Sequence, residues 1–346
     1  MSRVRRYRKN PHRLVEKLDA LIERRDEYAG SDLVFWMLES VFKLVGDGAS
    51  RGDLKMLDHA LMELRYAFRV FAPYRGIRKV SIFGSARTKG GDVEYRLAEK
   101  LAKKVTTLGY MVITGAGPGI MEAAQGGAGR AKSFGVNIRL PFESEANEFI
   151  QNDSKLVHFK YFFTRKVVFL KETDAVVIFP GGFGTHDEAF ESLTLVQTGK
   201  GEVVPIVFVD RPGGTYWKDW RCYIEKHLAK SGCIDEADMS LFKVTDDIDE
   251  AVEEVDRFYA NFHSTRWIAP RLVLRLEREV SDEILARLND DFADIVVSGT
   301  IERLAGLARA EEDEPFSRHL HRVAFRFDRK SNGRLRQMID LLNREG

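Results

Sequence analysis

Cysteine, long apolar runs and charge of one sign are all scarce in this chain of 346 residues. Its two cysteines, Cys222 and Cys233, are too few for a disulfide-stapled scaffold. No run of about 18 apolar residues occurs, so the sequence predicts no membrane-spanning helix. The basic N-terminus also lacks the apolar stretch that a secretory signal needs after its charged region. We therefore expect a cytoplasmic protein that stays in the compartment where it is made.

Positive and negative charges are almost balanced, with 54 Lys and Arg against 53 Asp and Glu and a formal net charge of +1. A field of one sign, typical of nucleic-acid-binding domains, is therefore missing, and we expect neither a nucleic-acid nor a membrane partner. The local exception is residues 1–13, which hold basic but no acidic side chains. This composition is typical of a solvated tail or of a segment that touches anionic surfaces.

Hydrophobic periodicity divides the chain into three parts. Apolar residues recur at helical spacing from residue 14 to about 71, which predicts three helices. From residue 79 onwards, short β-branched runs alternate with helical stretches, which predicts an α/β fold: a Rossmann-like doubly wound parallel sheet with helices on both faces. We expect a basic tail and helical segment over 1–75, a Rossmann-like catalytic domain over 76–265, and a small α/β C-terminal domain over 270–346.

The predicted elements follow from the same pattern. In the central part we expect strands over 80–83, 110–114, 135–138, 175–179 and 203–209, with later helices over 216–229 and 248–262. In the last part we expect strands over 271–280, 295–301 and 323–327, a helix from a Ser281 cap to about Phe292, and a closing helix over 331–342.

Glycine is distributed unevenly, because 18 of the 28 glycines fall between Gly84 and Gly214. Clusters follow three predicted strands: Gly84, then Gly115–Gly119, then Gly181–Gly184. In a parallel sheet, ligands bind outside the carboxyl ends of the strands. Glycines there let backbone N–H groups and a helix N-terminus face an anion, or they merely permit tight turns and close packing. Two such loops at one sheet edge favour a phosphate site.

Two common phosphate motifs do not fit these loops. A dinucleotide fingerprint needs a glycine at the sixth position, where this chain has Ile120 after Gly115 and Gly117. A P-loop is excluded because the only Gly-Lys pair, Gly199-Lys200, is followed by Gly201.

The segment 180–188, PGGFGTHDE, follows an apolar strand and is the most informative in the chain. It places Thr185 at the start of a helix and Glu188 one turn further, facing the cleft that the glycines open. Thr185 then either caps the helix or holds a phosphate oxygen. Spacing of Thr185 and Glu188 also fits a capping box, which is a purely structural role.

This segment resembles the PGGxGTxxE signature of the Lonely Guy (LOG) family of cytokinin riboside 5′-monophosphate phosphoribohydrolases, which carry an older label as lysine decarboxylases. Three other segments agree: SIFGSA at 81–86 resembles the family's first strand and Gly-Ser turn, GAGPGIME at 115–122 its GGGxxGxM loop, and FTRK at 163–166 its Arg-Lys pair. The resemblance covers about residues 76–262. The flanking parts resemble elongated bacterial members.

The resemblance implies hydrolysis of the N-glycosidic bond of a nucleoside 5′-monophosphate, of the AMP or cytokinin riboside monophosphate type, to free base and ribose 5-phosphate. Breaking this bond builds positive charge on the ribose, so a carboxylate near C1′ stabilises the transition state and orients or deprotonates water. Glu188 is the expected carboxylate. The resemblance makes Arg165 the catalytic guanidinium, while a helix-end pair with Glu172 or Asp174 is its structural alternative.

The remaining predicted ligands hold the substrate's phosphate. They are Ser85, Gly117, Gly119, Lys166, Gly181, Gly182, Gly184 and Thr185. His186 occupies a variable position of the signature, and we expect it to face solvent or a partner. Neither a metal nor a cofactor is expected. A homodimer with active sites near the subunit contact is implied by the resemblance.

Two rival functions use the same segments. A non-catalytic carrier of a nucleotide or a molybdopterin-type cofactor needs only the glycines and Thr185. A decarboxylase needs pyridoxal phosphate on a lysine, and the glycine loops contain none. The Arg165 and Glu188 pair distinguishes the hydrolase from the carrier.

Overall fold

The computed structural model describes residues 16, 18–20, 30–139, 145–304 and 317–346. The basic tail and most of the first predicted helix lie outside these residues. The chain divides into two compact units, Met1–Met62 and Glu63–Gly346. The predicted three-part division with boundaries near 75 and 270 stays a prediction.

The first unit contains helix α1 (Ser31–Gly46) and the start of helix α2 (Arg51–Phe71), which continues into the second unit. Ser50 and Asp53 begin α2 with a reciprocal cap. The Asp53 N–H donates to the Ser50 hydroxyl at 3.2 Å, and the Ser50 N–H donates to the Asp53 carboxylate at 2.9 Å. This exchange satisfies N–H groups that the first turn of a helix leaves without partners.

A seven-stranded parallel sheet forms the centre of the second unit. In spatial order its strands are β4, β3, β2, β1, β5, β6 and β7. Their bounds are β1 (Lys79–Phe83), β2 (Met111–Thr114), β3 (Ser133–Ile138), β4 (Leu156–Phe159), β5 (Ala175–Ile178), β6 (Ile206–Val209) and β7 (Phe242–Thr245). The chain builds outward from β1 to β4 and then returns to place β5 on the other side of β1. The strand order therefore reverses between β1 and β5.

Helices cover both faces of this sheet. They are α3 (Val93–Thr107), α4 (Ile120–Ala128), α5 (Phe162–Glu172), α6 (Phe183–Gln197), α7 (Tyr216–Ile224) and α8 (Ile248–Arg257). Alternate strand residues point to opposite faces: Ile82 and Val177 pack with α3, α4 and α8, whereas Phe83 and Ile178 pack with α5, α6 and α7. Because helices bury both faces of the sheet, its strands are continuous apolar runs. The predicted Rossmann-like doubly wound fold is confirmed.

A second, antiparallel sheet has the order β10, β11, β9, β8. Its strands are β8 (Phe262–Ile268), β9 (Arg271–Leu276), β10 (Glu302–Arg303) and β11 (His321–Phe325), accompanied by α9 (Asp282–Asp291) and α10 (Asn332–Glu345). The Ser281 hydroxyl accepts a hydrogen bond from the Ile284 N–H at 3.2 Å, so the predicted cap of α9 is confirmed. One apolar cluster runs from the face of the large sheet that carries Phe83 to β9 and α10.

Some predicted elements were wrong. The segment 295–301 is not a strand, since a short helical turn ends at Ile295 and β10 starts only at Glu302. Residues 258–261 are not helical, because α8 ends at Arg257 and β8 begins at Phe262. Strands β4, β7, β8 and β10 were not predicted. In the part of the chain that the structure describes, no helix has both the length and the apolar character needed to cross a membrane.

Candidate functional site

Three loops meet at the carboxyl ends of β1, β2 and β5. The Ser85 N–H donates to the Pro180 carbonyl at 3.1 Å, which joins the loop after β1 to the loop after β5. The Ile120 N–H donates to the Ser85 carbonyl at 3.1 Å, which joins the loop after β2 to the same point. Because the strand order reverses between β1 and β5, this is the position at which doubly wound sheets bind ligands.

The positions in these loops differ in whether the structure requires glycine. Gly119 has a φ of 71°, and a Cβ there would lie 2.8 Å from the Ala86 carbonyl carbon. A Cβ at Gly181 would collide with the Thr185 side chain. By contrast, a Cβ at Gly182 or Gly184 would have no protein atom within 4 Å. Contacts with other side chains do not demand glycine at these two exposed positions, and at Gly184, inside the first turn of α6, alanine favours the helix by up to about 1 kcal/mol. Their glycines leave open space directly in front of the backbone.

Helix α6 begins beside that open space. Gly182 is its N-cap and provides no side-chain cap, and Thr185 lies buried in the first turn with its N–H donating to the Gly182 carbonyl at 3.0 Å. The capping roles that sequence spacing left open for Thr185 and Glu188 are therefore not used. The first N–H groups of a helix have no partner within it, and the helix dipole is positive there. This end of α6 is suited to an anion.

Arg165 lies in the first turn of α5 and is buried. Its Nε donates to the Val136 carbonyl at 2.9 Å, and its Nη1 donates to Oε1 of Glu188 at 3.3 Å. The guanidinium also lies over the Phe169 ring, 5.0 Å from its centroid. A Cβ at Gly115 would be 2.7 Å from Nη2, so only glycine lets this side chain lie against the loop after β2. Among the residues that the structure describes, Glu188 pairs with Arg165, and Glu172 and Asp174 do not.

Glu188 is 8% exposed and lies one turn into α6. Burial raises the pKa of its carboxyl above the usual 4.5, and the positive charges of Arg165 and Lys166 oppose this effect without cancelling it. The 3.3 Å contact with Arg165 is long for a charge-assisted hydrogen bond, which agrees with an incomplete compensation. A buried carboxyl with a raised pKa is suited to proton transfer.

Lys166 joins α5 to α6. Its Nζ lies 2.9 Å from Oδ2 of Asp187 and 2.6 Å from Oε2 of Glu191. Burial lowers the pKa of Lys166, but hydrogen bonds to Glu191 and Asp187 raise it by more, so the net shift is upward. The side chain is therefore a fixed cation. Its predicted contact with phosphate stays a prediction.

The other predicted ligands line the same loops. Ser85 is half-buried, and its hydroxyl accepts a hydrogen bond from the Arg87 N–H at 3.1 Å. The Gly117 carbonyl accepts from Nδ2 of Asn147 at 2.9 Å. Asn137 donates in the same way to the Gly115 carbonyl at 3.2 Å. The two asparagines were not predicted from the sequence, and they fix the peptide groups of the loop after β2.

Glu63 on α2 is a further residue that sequence reasoning missed. Its carboxylate accepts the Lys160 N–H at 2.7 Å and the Thr164 hydroxyl at 2.6 Å. A negative charge at the N-terminus of a helix stabilises it, so Glu63 holds the end of α5 that carries Arg165. No motif marks this contact, since about 100 residues separate Glu63 from its partners.

A groove of about 1270 Å³ runs between α5 and α6 and continues past residues 200–204 to the start of β8. Glu188 and Ser192 lie on its α6 side, Val167 on its α5 side, and Phe83 and Phe169 at its base. Its volume exceeds that of typical small-molecule sites, which measure about 300–1,000 Å³. The carboxyl of Glu188 thus lies beside both the open helix end and a largely apolar groove.

Residues 120–255 match the model of a protein family described as "Possible lysine decarboxylase". This description agrees with the older label of the family that the sequence motifs resemble. No curated protein matches the sequence.

Several solved structures are similar to this chain. A molybdenum cofactor carrier protein from Chlamydomonas reinhardtii is 19% identical, covers 52% of this chain and 97% of its own, and has a TM-score of 0.36. A molybdenum cofactor binding protein from Rippkaea orientalis is 15% identical over 52% of this chain and 96% of its own, with a TM-score of 0.37. The structural-genomics target TM1055 is 24% identical over 52% and 99%, with a TM-score of 0.38. The family match includes Arg165, Lys166 and the PGGFGTHDE segment, so this part of the chain is similar in sequence to that family.

Proposed function

We propose that this protein hydrolyses the N-glycosidic bond of a nucleoside 5′-monophosphate, of the AMP or cytokinin riboside type, to free base and ribose 5-phosphate. The observation that carries this proposal is the buried Glu188–Arg165 pair at 3.3 Å beside an open, glycine-lined helix N-terminus. A carrier needs only the helix end, because binding a phosphate requires no carboxylate. We also propose that the chain belongs to the elongated bacterial members of the LOG family.

The phosphate is proposed to bind at the start of α6. Backbone groups of Gly181, Gly182 and Gly184 and the hydroxyl of Thr185 hold its oxygens there. The loops after β1 and β2 contribute from the opposite side, through Ser85, Gly117 and Gly119. Lys166 supplies positive charge nearby. Binding of the phosphate places C1′ of the ribose toward Glu188.

The proposed reaction uses one water molecule. Its oxygen bonds to C1′ while the bond from C1′ to the base nitrogen breaks and leaves its electron pair on that nitrogen. The nitrogen takes up a proton from solvent, and the proton that Glu188 accepts is later released to solvent. Glu188 stabilises the developing positive charge on the ribose and accepts a proton from the water. Arg165 holds the carboxylate in position, and its rigid attachment to Val136 fixes that geometry. The groove between α5 and α6 offers room for the base.

A homodimer is proposed as the working form. Large apolar side chains on α5 and α6 are between 37% and 50% exposed: Phe162, Phe163, Val167 and Phe190. Stable interfaces bury about 800 Å² on each partner, and an exposed apolar patch is typical of them. Light scattering on the purified protein is expected to give the mass of two chains. A mass of one chain would contradict this proposal.

The rate of base release is expected to fall in acid with a midpoint above pH 4.5. Glu188 acts as a carboxylate, and burial raises its pKa above that value, so protonation removes the active form at a higher pH than for an exposed glutamate. The pH profile of kcat/KM for AMP measures this midpoint. A rate that stays constant down to pH 4.5 would show that Glu188 is not the group that ionises.

The direct test is a screen for base release. Purified protein is incubated with AMP, GMP, IMP, CMP, UMP and an N6-isopentenyl AMP, and free base is separated by chromatography. We expect release from at least one purine monophosphate. If the protein binds these nucleotides and releases no base from any of them, the carrier function replaces the hydrolase.

A further inference from the structure

A tyrosine and a histidine lie directly behind the glycine loop that follows β5. The Tyr216 hydroxyl donates to the Gly181 carbonyl at 2.6 Å. The same hydroxyl lies 2.7 Å from Nε2 of His186. Tyr216 is the first residue of α7 and His186 lies in the first turn of α6, so these contacts join the beginnings of two helices.

The proton positions in this chain of contacts follow from the chemistry of a phenol. A tyrosine hydroxyl has a single proton, and here that proton is donated to the Gly181 carbonyl. The hydroxyl oxygen must therefore act as acceptor toward His186, whose Nε2 carries the donated proton. Both side chains have defined roles: His186 orients the Tyr216 hydroxyl, and Tyr216 binds the loop.

Fixing the Gly181 carbonyl also fixes the next N–H group. The peptide bond between Gly181 and Gly182 is planar and trans, so its C=O and N–H point in opposite directions. The carbonyl points to Tyr216, and the Gly182 N–H consequently points away from it. Gly182 has no Cβ to limit its backbone, so an external hydrogen bond is the means of holding this peptide in one orientation.

Aromatic packing makes this pair rigid. The Tyr216 ring meets that of Trp217 edge-on at 4.7 Å, and the His186 ring lies 5.4 Å from the same tryptophan. Trp217 is completely buried, and its backbone N–H donates to Oδ2 of Asp210 at 3.2 Å. His186 was expected to face solvent or a partner, but it is half-buried in this cluster. A side chain held by a buried neighbour is a better positioning element than a free one.

We infer that Tyr216 and His186 are positioning residues of the phosphate site, and that they set the preference of this protein for 5′-phosphorylated ribose over the unphosphorylated sugar. The inference rests on the proposed function in taking the loop at 181–185 as the phosphate site. The pair touches no substrate. It acts through the orientation of the Gly181–Gly182 peptide.

The test compares binding of ribose 5-phosphate and of ribose to the full chain by calorimetry, which requires no turnover. Tyr216→Phe keeps the ring and removes the hydroxyl, and we expect its affinity for ribose 5-phosphate to fall about 10-fold, the effect of one lost hydrogen bond. Tyr223→Phe is the matched control on the same helix. Its ring lies 5.0 Å from that of His227, remote from the loop, and we expect its affinity to equal that of the wild type.

Variants of His186 separate positioning from simple packing. His186→Gln keeps an N–H donor and is expected to bind ribose 5-phosphate within about twofold of the wild type, whereas His186→Leu is expected to lose affinity as Tyr216→Phe does. In turnover, Tyr216→Phe is expected to raise KM for AMP and leave kcat nearly unchanged, since the phosphate contact is made equally in ground and transition states.

The outcomes distinguish this inference from the proposed function. Wild-type affinity in both Tyr216→Phe and His186→Leu overturns the inference, as does a wild type that does not bind ribose 5-phosphate at all. A wild type that binds ribose 5-phosphate but releases no base overturns the proposed hydrolase alone. In that case the affinities of Tyr216→Phe and His186→Leu decide the inference.

Discussion

Glu188→Gln is expected to slow adenine release from AMP by about 1,000-fold and to leave ribose 5-phosphate binding within about twofold. The amide has the shape of the carboxylate and still accepts the hydrogen bond from Arg165, but it neither balances positive charge on the ribose nor accepts a proton from water. General base catalysis and electrostatic stabilisation each typically contribute about 100-fold or more. Chromatography of the released base measures the rate, and calorimetry measures the binding.

The control for this substitution is a second carboxylate–guanidinium pair. Glu253 and Arg257 on α8 are also 3.3 Å apart, but their side chains are about 60% exposed. Glu253→Gln removes the same charge in water, and we expect no change in rate. A Glu188→Gln protein that keeps a tenth or more of the wild-type rate would rule out Glu188 as the catalytic carboxylate.

Arg165→Lys is expected to lower kcat by about 100-fold, although it preserves the positive charge. One ammonium group cannot reproduce the planar fork by which Arg165 contacts both the Val136 carbonyl and Glu188. The carboxylate then loses its fixed position, and displacements of about 1 Å in an active site typically cost about 100-fold in rate. Single-turnover measurements with AMP separate this chemical step from product release.

The Arg165→Lys experiment also includes a measurement of unfolding free energy and a matched control variant. An unpaired buried carbonyl at Val136 costs about 1–3 kcal/mol, so Arg165→Lys is also expected to lower the free energy of unfolding in denaturant titrations. Arg257→Lys makes the same change in the exposed pair and is expected to alter neither quantity. If kcat of Arg165→Lys stays within twofold of the wild type, the guanidinium geometry has no catalytic role.

The sequence predicted the centre of the fold because its strands are buried on both faces. The runs at β1, β2, β3 and β5 are short, apolar and followed by glycine or helical spacing, so local pattern identified them. Strands β4 and β8 carry exposed or half-buried positions such as His158 and Arg266, which hide the pattern. The predicted strand at 295–301 failed for the opposite reason: Val296 and Val297 have strand propensity, but their pairing with Phe327 and Arg326 extends no further, and the Val297 side chain is 67% exposed.

The candidate site shows the same division between local and distant information. The glycine loops, Thr185, Glu188 and Arg165 were identified from motifs in short segments. Glu188 fits either a capping box or a catalytic carboxylate by its sequence position alone. The contact that favours the second role comes from Arg165, which lies on another helix. Likewise, Glu63, Asn147 and Tyr216 act through contacts with backbone atoms far along the chain, and such contacts leave no pattern in the sequence.

The two hydrogen bonds that join the three site loops, from Ser85 to Pro180 and from Ile120 to Ser85, use only main-chain atoms. Replacement of neighbouring side chains does not remove them. During evolution, residues along the groove between α5 and α6 other than Glu188 can therefore change while the loops keep their mutual arrangement. Under the proposed function, a protein built in this way can acquire a new base preference and still bind the sugar phosphate.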